Sequence, residues 1–332
     1  MPVFYRLNLV AVALCYALVV LGAFVRLSDA GLGCPDWPGC YGQLAVPQAD
    51  HAIDRAQAAF PDRPLEAPKA WKEMIHRYLA GLVGLLIAAL AVLAWRAPGR
   101  PRGIASAIVL VLITQIVFGA LTVTMKVNPL IVTTHLLLGL STLSLLWWMW
   151  LGGLSRTVVM ATSGLRVLAG FGLAMLVLQI FLGGWTSTNY AALACPDFPT
   201  CLGRYTPTTP LSQAFTLWHG ADRNYEYGIL EVAARATVHL VHRYGAVLLS
   251  LILGALALRL LTLGATQWRR LGLALCAALG LQLAIGIGLV ELQLPLWLAD
   301  AHNAGAALLL LTVLAVNHFV WRGGGQGRIA HP

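Results

Sequence analysis

Long apolar runs separated by shorter polar stretches are the main pattern along the chain. A helix needs about 20 residues to cross a bilayer, and six runs of about this length carry no charge. Two further runs begin with a histidine-containing turn. The pattern predicts an all-α integral membrane protein with eight transmembrane helices, at 7–25, 75–95, 104–125, 130–154, 167–189, 241–258, 271–290 and 304–320.

Composition supports this prediction. Of the 332 residues, 59% are hydrophobic and only 11% are charged, a balance that is too apolar for a soluble globular domain. The first run is as long as the other spans, and the polar loop behind it has no Ala-x-Ala-like cleavage site. We therefore expect a retained transmembrane helix there rather than a signal peptide.

The distribution of charge predicts the orientation. The short connections at 96–102, 155–166 and 259–270, together with both termini, hold half of the 22 Lys and Arg residues and none of the 13 acidic residues. Because basic residues collect in cytoplasmic loops, we expect these connections and both termini in the cytoplasm. The long loops at 27–71 and 188–231 then lie on the outer face. The basic loops also explain the net charge of +9, so nucleic-acid binding is not expected.

One eight-residue phrase occurs twice. GCPDWPGC at 33–40 is followed 161 residues later by ACPDFPTC at 194–201. The flanking segments repeat as well, with the triplet HRY, a Gln-hydrophobic-Gly pattern and a histidine that opens the fourth span. The triplet stands at 76–78 and 242–244. The Gln-hydrophobic-Gly pattern begins at Gln115 and at Gln282, and the histidines are His135 and His302.

This duplication predicts two tandem, pseudo-symmetric four-helix bundles. The first covers 1–154 and the second 167–322, with a cytoplasmic linker at 155–166 and a cytoplasmic tail at 323–332. Because each bundle has an even number of spans, both insert with the same orientation. They are therefore parallel repeats about an axis along the membrane normal.

Two histidines in each half are candidate haem ligands. We expect His76 about one turn inside the outer end of its span and His135 just inside the outer end of its own, with His242 and His302 at the equivalent positions. Facing imidazoles at one depth of a four-helix bundle are what a six-coordinate haem iron requires. Zinc would need further nitrogen, sulfur or carboxylate ligands beside each pair.

The halves differ three residues before the first histidine of each pair, where one has Glu73 and the other His239. Side chains three apart on a helix lie on neighbouring turns, about 60° from each other. Glu73 is therefore either an acid–base or cation-stabilising group beside a bound porphyrin, or a solvated carboxylate that favours the helix N-terminus. His239 is an alternative ligand to His242, although the repeated HRY triplet favours His242.

Other polar residues have less specific interpretations. Arg77 and Arg243 are candidates for binding haem propionates, with snorkelling to the membrane interface as the alternative. Four of the six cysteines lie in the outer loops, an oxidising compartment in which thiols at short spacing tend to pair. We expect Cys15 and Cys276 to be packing residues, and we expect structural or solvated positions for the remaining histidines, His51, His219, His318 and His331.

Taken together, these residues resemble the haem A synthase family, bacterial membrane enzymes related to mitochondrial haem A synthase. The resemblance covers nearly the whole chain and rests on GCPDWPGC, KAWKEMIHRYLAG, THLLLGL, HRYGA and AHNAGAALLL in this order. It implies oxidation of the position-8 methyl of haem O to a formyl group, giving haem A for terminal oxidases. The implied location is the bacterial inner (plasma) membrane.

The resemblance also implies a division of labour between the halves. The first half matches the site for haem O as substrate, with iron ligands His76 and His135 and the catalytic glutamate at Glu73. The second half matches the site of a bound haem b that relays electrons, with ligands His242 and His302. The disulfides of the family match Cys34 with Cys40 and Cys195 with Cys201.

Other functions stay open from the residues alone. A dihaem b-type electron-transfer cytochrome explains the four histidines but gives Glu73 and the cysteine loops no role. A membrane thiol oxidoreductase would use the cysteines, although each pair has five intervening residues where redox motifs favour two. A transporter with parallel repeats leaves the histidines unexplained. The partners to consider are membrane lipid, haem O, an electron donor, the haem O synthase and a second copy of the chain.

Overall fold

The computed structural model describes residues 2–154, 161–207, 210–221 and 223–322, and these residues form helices and loops without a β-sheet. Eight of the helices are long and apolar enough to cross a membrane, which confirms the predicted spans. The tail at 323–332 and positions 155–160 of the linker lie outside the described residues. The helices are α1 Val3–Leu27, α2 Asp50–Ala59, α3 Ala67–Arg96, α4 Arg102–Thr124, α5 Pro129–Gly152, α6 Ser163–Thr188, α7 Leu211–Ala214, α8 Val232–Thr262, α9 Thr266–Glu291 and α10 Leu296–Arg322.

Two helices begin well before their predicted spans. Helix α3 begins at Ala67 instead of 75, and α8 begins at Val232 instead of 241. The added turns of α3 carry charges, but its Ala70, Glu73 and Met74 are buried, so packing under the outer loop extends the helix. Our expectation that His76 lies one turn inside the helix end is therefore wrong. Nine residues of helix precede His76, which corresponds to about 13 Å along the axis.

Each half is a closed ring of four helices. In the first half α1 packs against α3, α3 against α4, α4 against α5, and α5 against α1; in the second half α6, α8, α9 and α10 pack in the same cyclic order. The two histidine-bearing helices of each ring, α3 with α5 and α8 with α10, therefore occupy opposite corners. This arrangement directs their side chains toward a shared interior.

The two rings join through one face. Helix α10 packs against both α1 and α5 of the first half, and α5 also packs against α6. The apolar window of α10 is 67% buried, against 11% for α4 and α9. Helix α10 is therefore the central element of the molecule, whereas α4 and α9 present most of their apolar side chains to lipid.

Equivalent residues of the two halves touch at the outer ends of α1 and α6. Arg26 donates a hydrogen bond to the carbonyl oxygen of Ser187 at 2.7 Å, and the Tyr190 hydroxyl donates to Asp29 at 3.0 Å. Each pair is separated by 161 residues, the spacing of the repeated cysteine phrase. Repeat-equivalent positions can meet only beside the axis that relates them. The pseudo-two-fold axis therefore passes between α1 and α6.

Candidate functional site

Each of the four candidate histidines packs its ring against a glycine on a neighbouring helix. A Cβ atom added to any of these glycines would lie only 2.9–3.2 Å from the imidazole Cε1 atom, closer than side chains normally pack. The imidazole ring therefore occupies the space that a side chain on the glycine would need. The pairs are His76 with Gly22, His135 with Gly119, His242 with Gly183, and His302 with Gly286.

Glutamine side chains contact three of these four imidazoles. The Nε2 atoms of Gln115 and Gln282, which are repeat-equivalent, lie 3.4 Å and 3.3 Å from ring nitrogens of His135 and His302. Gln179 lies 3.0 Å from Nδ1 of His242 and also donates to the His242 carbonyl oxygen at 2.9 Å.

The fourth imidazole has no such neighbour. Leu18 stands where the repeat would place an equivalent of Gln179, and Nδ1 of His76 is buried without a hydrogen-bond partner within the described residues. Hydrogen bonds orient metal-binding imidazoles. The second half therefore holds both of its rings through glutamines, whereas the first half holds only one ring in this way.

The residues fit a haem better than a bare metal ion. In the part of the chain that the structure describes, no group of three or more His, Cys, Asp or Glu side chains could hold a metal ion. Each half instead offers two imidazoles from opposite corners of a helix ring. Two imidazoles are sufficient as axial ligands of haem iron, whereas zinc requires three or four protein ligands.

Glu73 connects α3 to the first disulfide loop. Its side chain is buried, with only 5% exposed, so it is not a solvated carboxylate. Oε2 accepts a hydrogen bond from the backbone amide of Cys34 at 2.9 Å, and Oε1 pairs with Nη2 of Arg77 at 2.5 Å. The carboxylate is therefore fixed about one helical turn outward from His76.

His239 occupies the equivalent position in the second half and bonds to the equivalent arginine, but not to an amide of its loop within the described residues. Its ring is buried, and Nε2 accepts a hydrogen bond from Nε of Arg243 at 3.2 Å. His242, which packs against Gly183, has its own partner in Gln179. An imidazole in the second half thus takes the place of the carboxylate that bonds to the loop in the first half.

The arginine and tyrosine of each HRY triplet hold the disulfide loops. Arg77 donates to the carbonyl oxygens of Pro38 and Gly39, and Arg243 donates to those of Cys195, Asp197 and Thr200. The Tyr78 hydroxyl donates to the carbonyl oxygen of Leu44, and the Tyr244 hydroxyl donates to that of Tyr205. Binding of haem propionates by Arg77 and Arg243 stays a prediction.

Both cysteine pairs form disulfides, Cys34 with Cys40 and Cys195 with Cys201. An aspartate inside each loop organises the backbone that follows. Asp36 accepts from the amides of Tyr41 and Gly42, and Asp197 accepts from those of Leu202 and Gly203. The Thr200 hydroxyl and these two amides lower the pKa of Asp197 to about 2, because they stabilise the ionised carboxylate.

Comparison with known proteins agrees with this geometry. Residues 5–314 match the family model described as cytochrome oxidase assembly protein. The heme A synthase of Shewanella oneidensis is 45% identical over 94% of this chain and 96% of its own length. The heme A synthase of Nitrosospira multiformis is 30% identical over 93% of this chain and 91% of its own length. That of Caulobacter vibrioides is 30% identical over 97% of this chain and 96% of its own length.

The chain belongs to the haem A synthase family. The sequence repeat predicts the four histidines at matched positions, but it assigns no role to the glycines beside them. The signal is present in the repeated segments. Gly119 and Gly286 lie in the Gln-hydrophobic-Gly pattern, and Gly22 and Gly183 stand at equivalent positions, 161 residues apart. Gln179 has no counterpart in the first half, so the repeat could not reveal it.

The remaining sequence-predicted residues lie away from the histidine pairs. Cys15 is buried, whereas Cys276 is exposed on α9. His51 lies on an exposed face of α2 and His219 in the second outer loop. His318 is buried near the end of α10, and His331 lies outside the described residues.

Proposed function

We propose that this chain is a haem A synthase that oxidises the position-8 methyl of haem O to a formyl group. The proposal is supported by near-full-length similarity to proteins named heme A synthase. The observation that carries it has two parts. The histidine–glycine pairs occur in both halves, but the residue one turn outward is Glu73 in the first half and His239 in the second. A duplicated electron carrier would have no need of this departure.

The second half, 167–322, is proposed to hold haem b. His242 and His302 are its ligands, and their contacts with Gln179 and Gln282 favour a permanently bound group whose ligands must stay oriented. When bound, haem b supplies one-electron transfer. The protein contributes the spacing of the two imidazoles and an apolar surrounding that excludes water from them.

The first half, 1–154, is proposed to bind haem O through His76 and His135. A substrate must leave after the reaction, and Nδ1 of His76 has no hydrogen-bond partner among the described residues. A less constrained ligand suits a group that is exchanged. The glycines beside both rings leave the imidazoles free to approach the porphyrin from opposite corners of the ring of helices.

Glu73 is proposed as the catalytic carboxylate. Written with water as the oxygen donor, conversion of a methyl to a formyl group releases four protons and four electrons, so a proton acceptor and a path for electrons are both required. The buried carboxylate of Glu73 can accept a proton or stabilise positive charge that develops at the reacting carbon. Arg77 and the Cys34 amide hold it in place for that role.

The proposed orientation puts the disulfide loops on the outer face of a bacterial plasma membrane and both termini in the cytoplasm. It is supported by the basic residues of the short connections and by two disulfides, which form in oxidising compartments. The function also implies an electron-accepting or electron-donating partner and a supply of haem O from the enzyme that makes it.

Extraction of haem from membranes tests this function. A bacterium that makes haem O but lacks this activity is compared with the same strain expressing the chain. We expect haem A to appear and haem O to decrease only when the chain is present. Haem b bound to the chain without any formation of haem A would favour a dihaem electron-transfer cytochrome instead.

A further inference from the structure

A cavity of about 440 Å³ lies at the end of the protein opposite the disulfide loops. Its volume is within the range of small-molecule sites, roughly 300–1,000 Å³. Helix α1, the α3–α4 connection and α5 line it from the first half, and the end of α10 lines it from the second. The cavity therefore lies where the two bundles meet, with a lining that includes Tyr5, Arg100, Ile104, Trp148, His318 and Arg322.

Positive groups line this cavity. Arg100 and Arg322 contribute their guanidinium groups, and the lining contains no Asp or Glu among the described residues. Arg100 donates to the backbone carbonyl oxygen of Leu93 at 2.8 Å, and Arg322 donates to that of Gly152 at 3.2 Å. An arginine has five N–H donors, so most of them remain available to an anion.

The N-terminus of α4 adds to the positive character. No side chain caps this helix, so its first-turn amide groups lack intrahelical acceptors. Ile104, in this first turn, lines the cavity. Helix N-termini favour anions through these amides and the helix dipole.

His318 is a buried polar group that the protein itself leaves without a partner. Its side chain is only 3% exposed, and neither ring nitrogen has a hydrogen bond within the described residues. Trp148 packs edge-on against it with ring centroids 4.7 Å apart. A buried polar group without a partner is destabilising, and the repeat-equivalent residue of the first half is Leu151, so the bundle itself does not require a histidine here.

The cavity is separate from the candidate haem sites. His318 follows His302 by 16 residues on α10, which corresponds to about 24 Å along the helix. The unpartnered imidazole of His318 therefore cannot belong to the ligand pair at the other end of the helix.

We propose that this cavity binds the phosphate of an anionic phospholipid head group. Basic pockets between transmembrane helices are known to hold such head groups. Trp321, which also lines the cavity, is 55% exposed, as expected for an aromatic residue at the membrane interface. The phosphate accepts hydrogen bonds from Arg100, Arg322 and His318, and the bound lipid joins the two bundles. This inference does not depend on the proposed function.

Retention of lipid by matched variants tests the proposal. The full chain is reconstituted in nanodiscs of phosphatidylglycerol and phosphatidylcholine, released into detergent and examined by native mass spectrometry. The double variant Arg100→Gln, Arg322→Gln should retain phosphatidylglycerol roughly 10-fold less than the unchanged chain. The control Arg96→Gln, Arg102→Gln removes two exposed charges at the same end, outside the cavity lining, and should retain it normally.

A second variant keeps the test decisive if the arginine variant fails to fold. His318→Leu introduces the residue of the other repeat, and it should fold but lose phosphatidylglycerol. The proposal would be overturned if all variants retained phosphatidylglycerol equally. It would also be overturned if the unchanged chain retained phosphatidylcholine as well as phosphatidylglycerol. Displacement of the lipid by millimolar inorganic phosphate would also overturn it, because it would make free phosphate the ligand.

Discussion

Glu73 accepts a hydrogen bond from the backbone amide of Cys34 at 2.9 Å, so the carboxylate and the first disulfide loop hold each other in place. The equivalent His239 accepts from Arg243, the counterpart of Arg77, and Arg243 in turn binds carbonyl oxygens of the second loop. The first loop therefore bonds directly to the group that distinguishes the two halves, whereas the second loop reaches its counterpart only through Arg243. This difference predicts unequal effects of removing the two disulfides.

Replacement of Cys34 and Cys40 by serine should lower haem A formation while the haem b spectrum of the protein is retained. The carboxylate of Glu73 loses a fixed donor when the loop relaxes. Absorption spectra and haem extraction from the same membranes measure both effects. Replacement of Cys195 and Cys201 is the matched control and should lower haem b content first. Complete loss of activity in both variants would point to thiol chemistry instead.

Gly22→Ala should weaken the first site selectively. The added Cβ would lie 2.9 Å from Cε1 of His76, and overpacking of this kind costs about 1–3 kcal/mol. We expect haem A formation to fall roughly 5- to 150-fold, with haem b retained. Gly81→Ala on α3 is the control, since its added Cβ meets nothing within 4 Å. Haem A formation by the Gly22 variant equal to that of the Gly81 variant would contradict the prediction, because it would show that the site tolerates the methyl group.

Gly183→Ala should weaken the second site in the same way. Its Cβ would lie 3.2 Å from Cε1 of His242, so we expect the purified protein to contain less low-spin haem b. Gly170→Ala lies on the same helix, α6, with open space around the added atom. Unchanged haem b content in the Gly183 variant would contradict the expectation that this glycine supplies the space for a ligand imidazole.

The stabilisation of the second disulfide loop by Asp197 should decline as the pH falls from about 4 to about 2. Hydrogen bonds from Thr200 and from the loop amides lower the pKa of Asp197 from 3.8 to about 2. Because the folded-state pKa is depressed, the stabilisation is complete above about pH 4 and is lost as the pH falls through 2. Reduction of Cys195–Cys201 by a phosphine should therefore stay slow from pH 7 to about pH 4 and accelerate below it.

Asp197→Asn removes this dependence and should make the loop several-fold easier to reduce at neutral pH. Asp54→Asn, at an exposed position of α2, is the control and should behave like the unchanged chain. A reduction profile with the same acid limb in Asp197→Asn would assign the dependence to another group.

The spans and the pairing of histidines could be predicted because both depend on local patterns. Apolar runs determine which segments cross a bilayer, and the repeated cysteine phrase fixes the register that makes His76 comparable with His242. The early start of α3 could not be predicted in this way. Lys69, Lys72 and Glu73 make the added turns polar, and only contact with the disulfide loop buries Glu73 there.

The roles of arginine and glycine side chains depend on contacts between distant segments. Arg77 was equally compatible with a propionate or with the membrane interface, and only the folded loop shows that its guanidinium binds Pro38 and Gly39. Gly22 was part of a matched stretch, but its contact with His76 requires that α1 and α3 be neighbours. Periodicity alone does not specify which helices are adjacent in a bundle.

We propose that Glu73 distinguishes a catalytic half from a cofactor half. The most direct test of this role is the ratio of haem A to haem O in membranes that contain Glu73→Gln, measured together with the haem b spectrum of the purified variant. We predict that haem O accumulates, haem A falls by at least about 100-fold, the lower end for general acid–base catalysis, and haem b is unchanged. Normal formation of haem A by this variant would contradict the account.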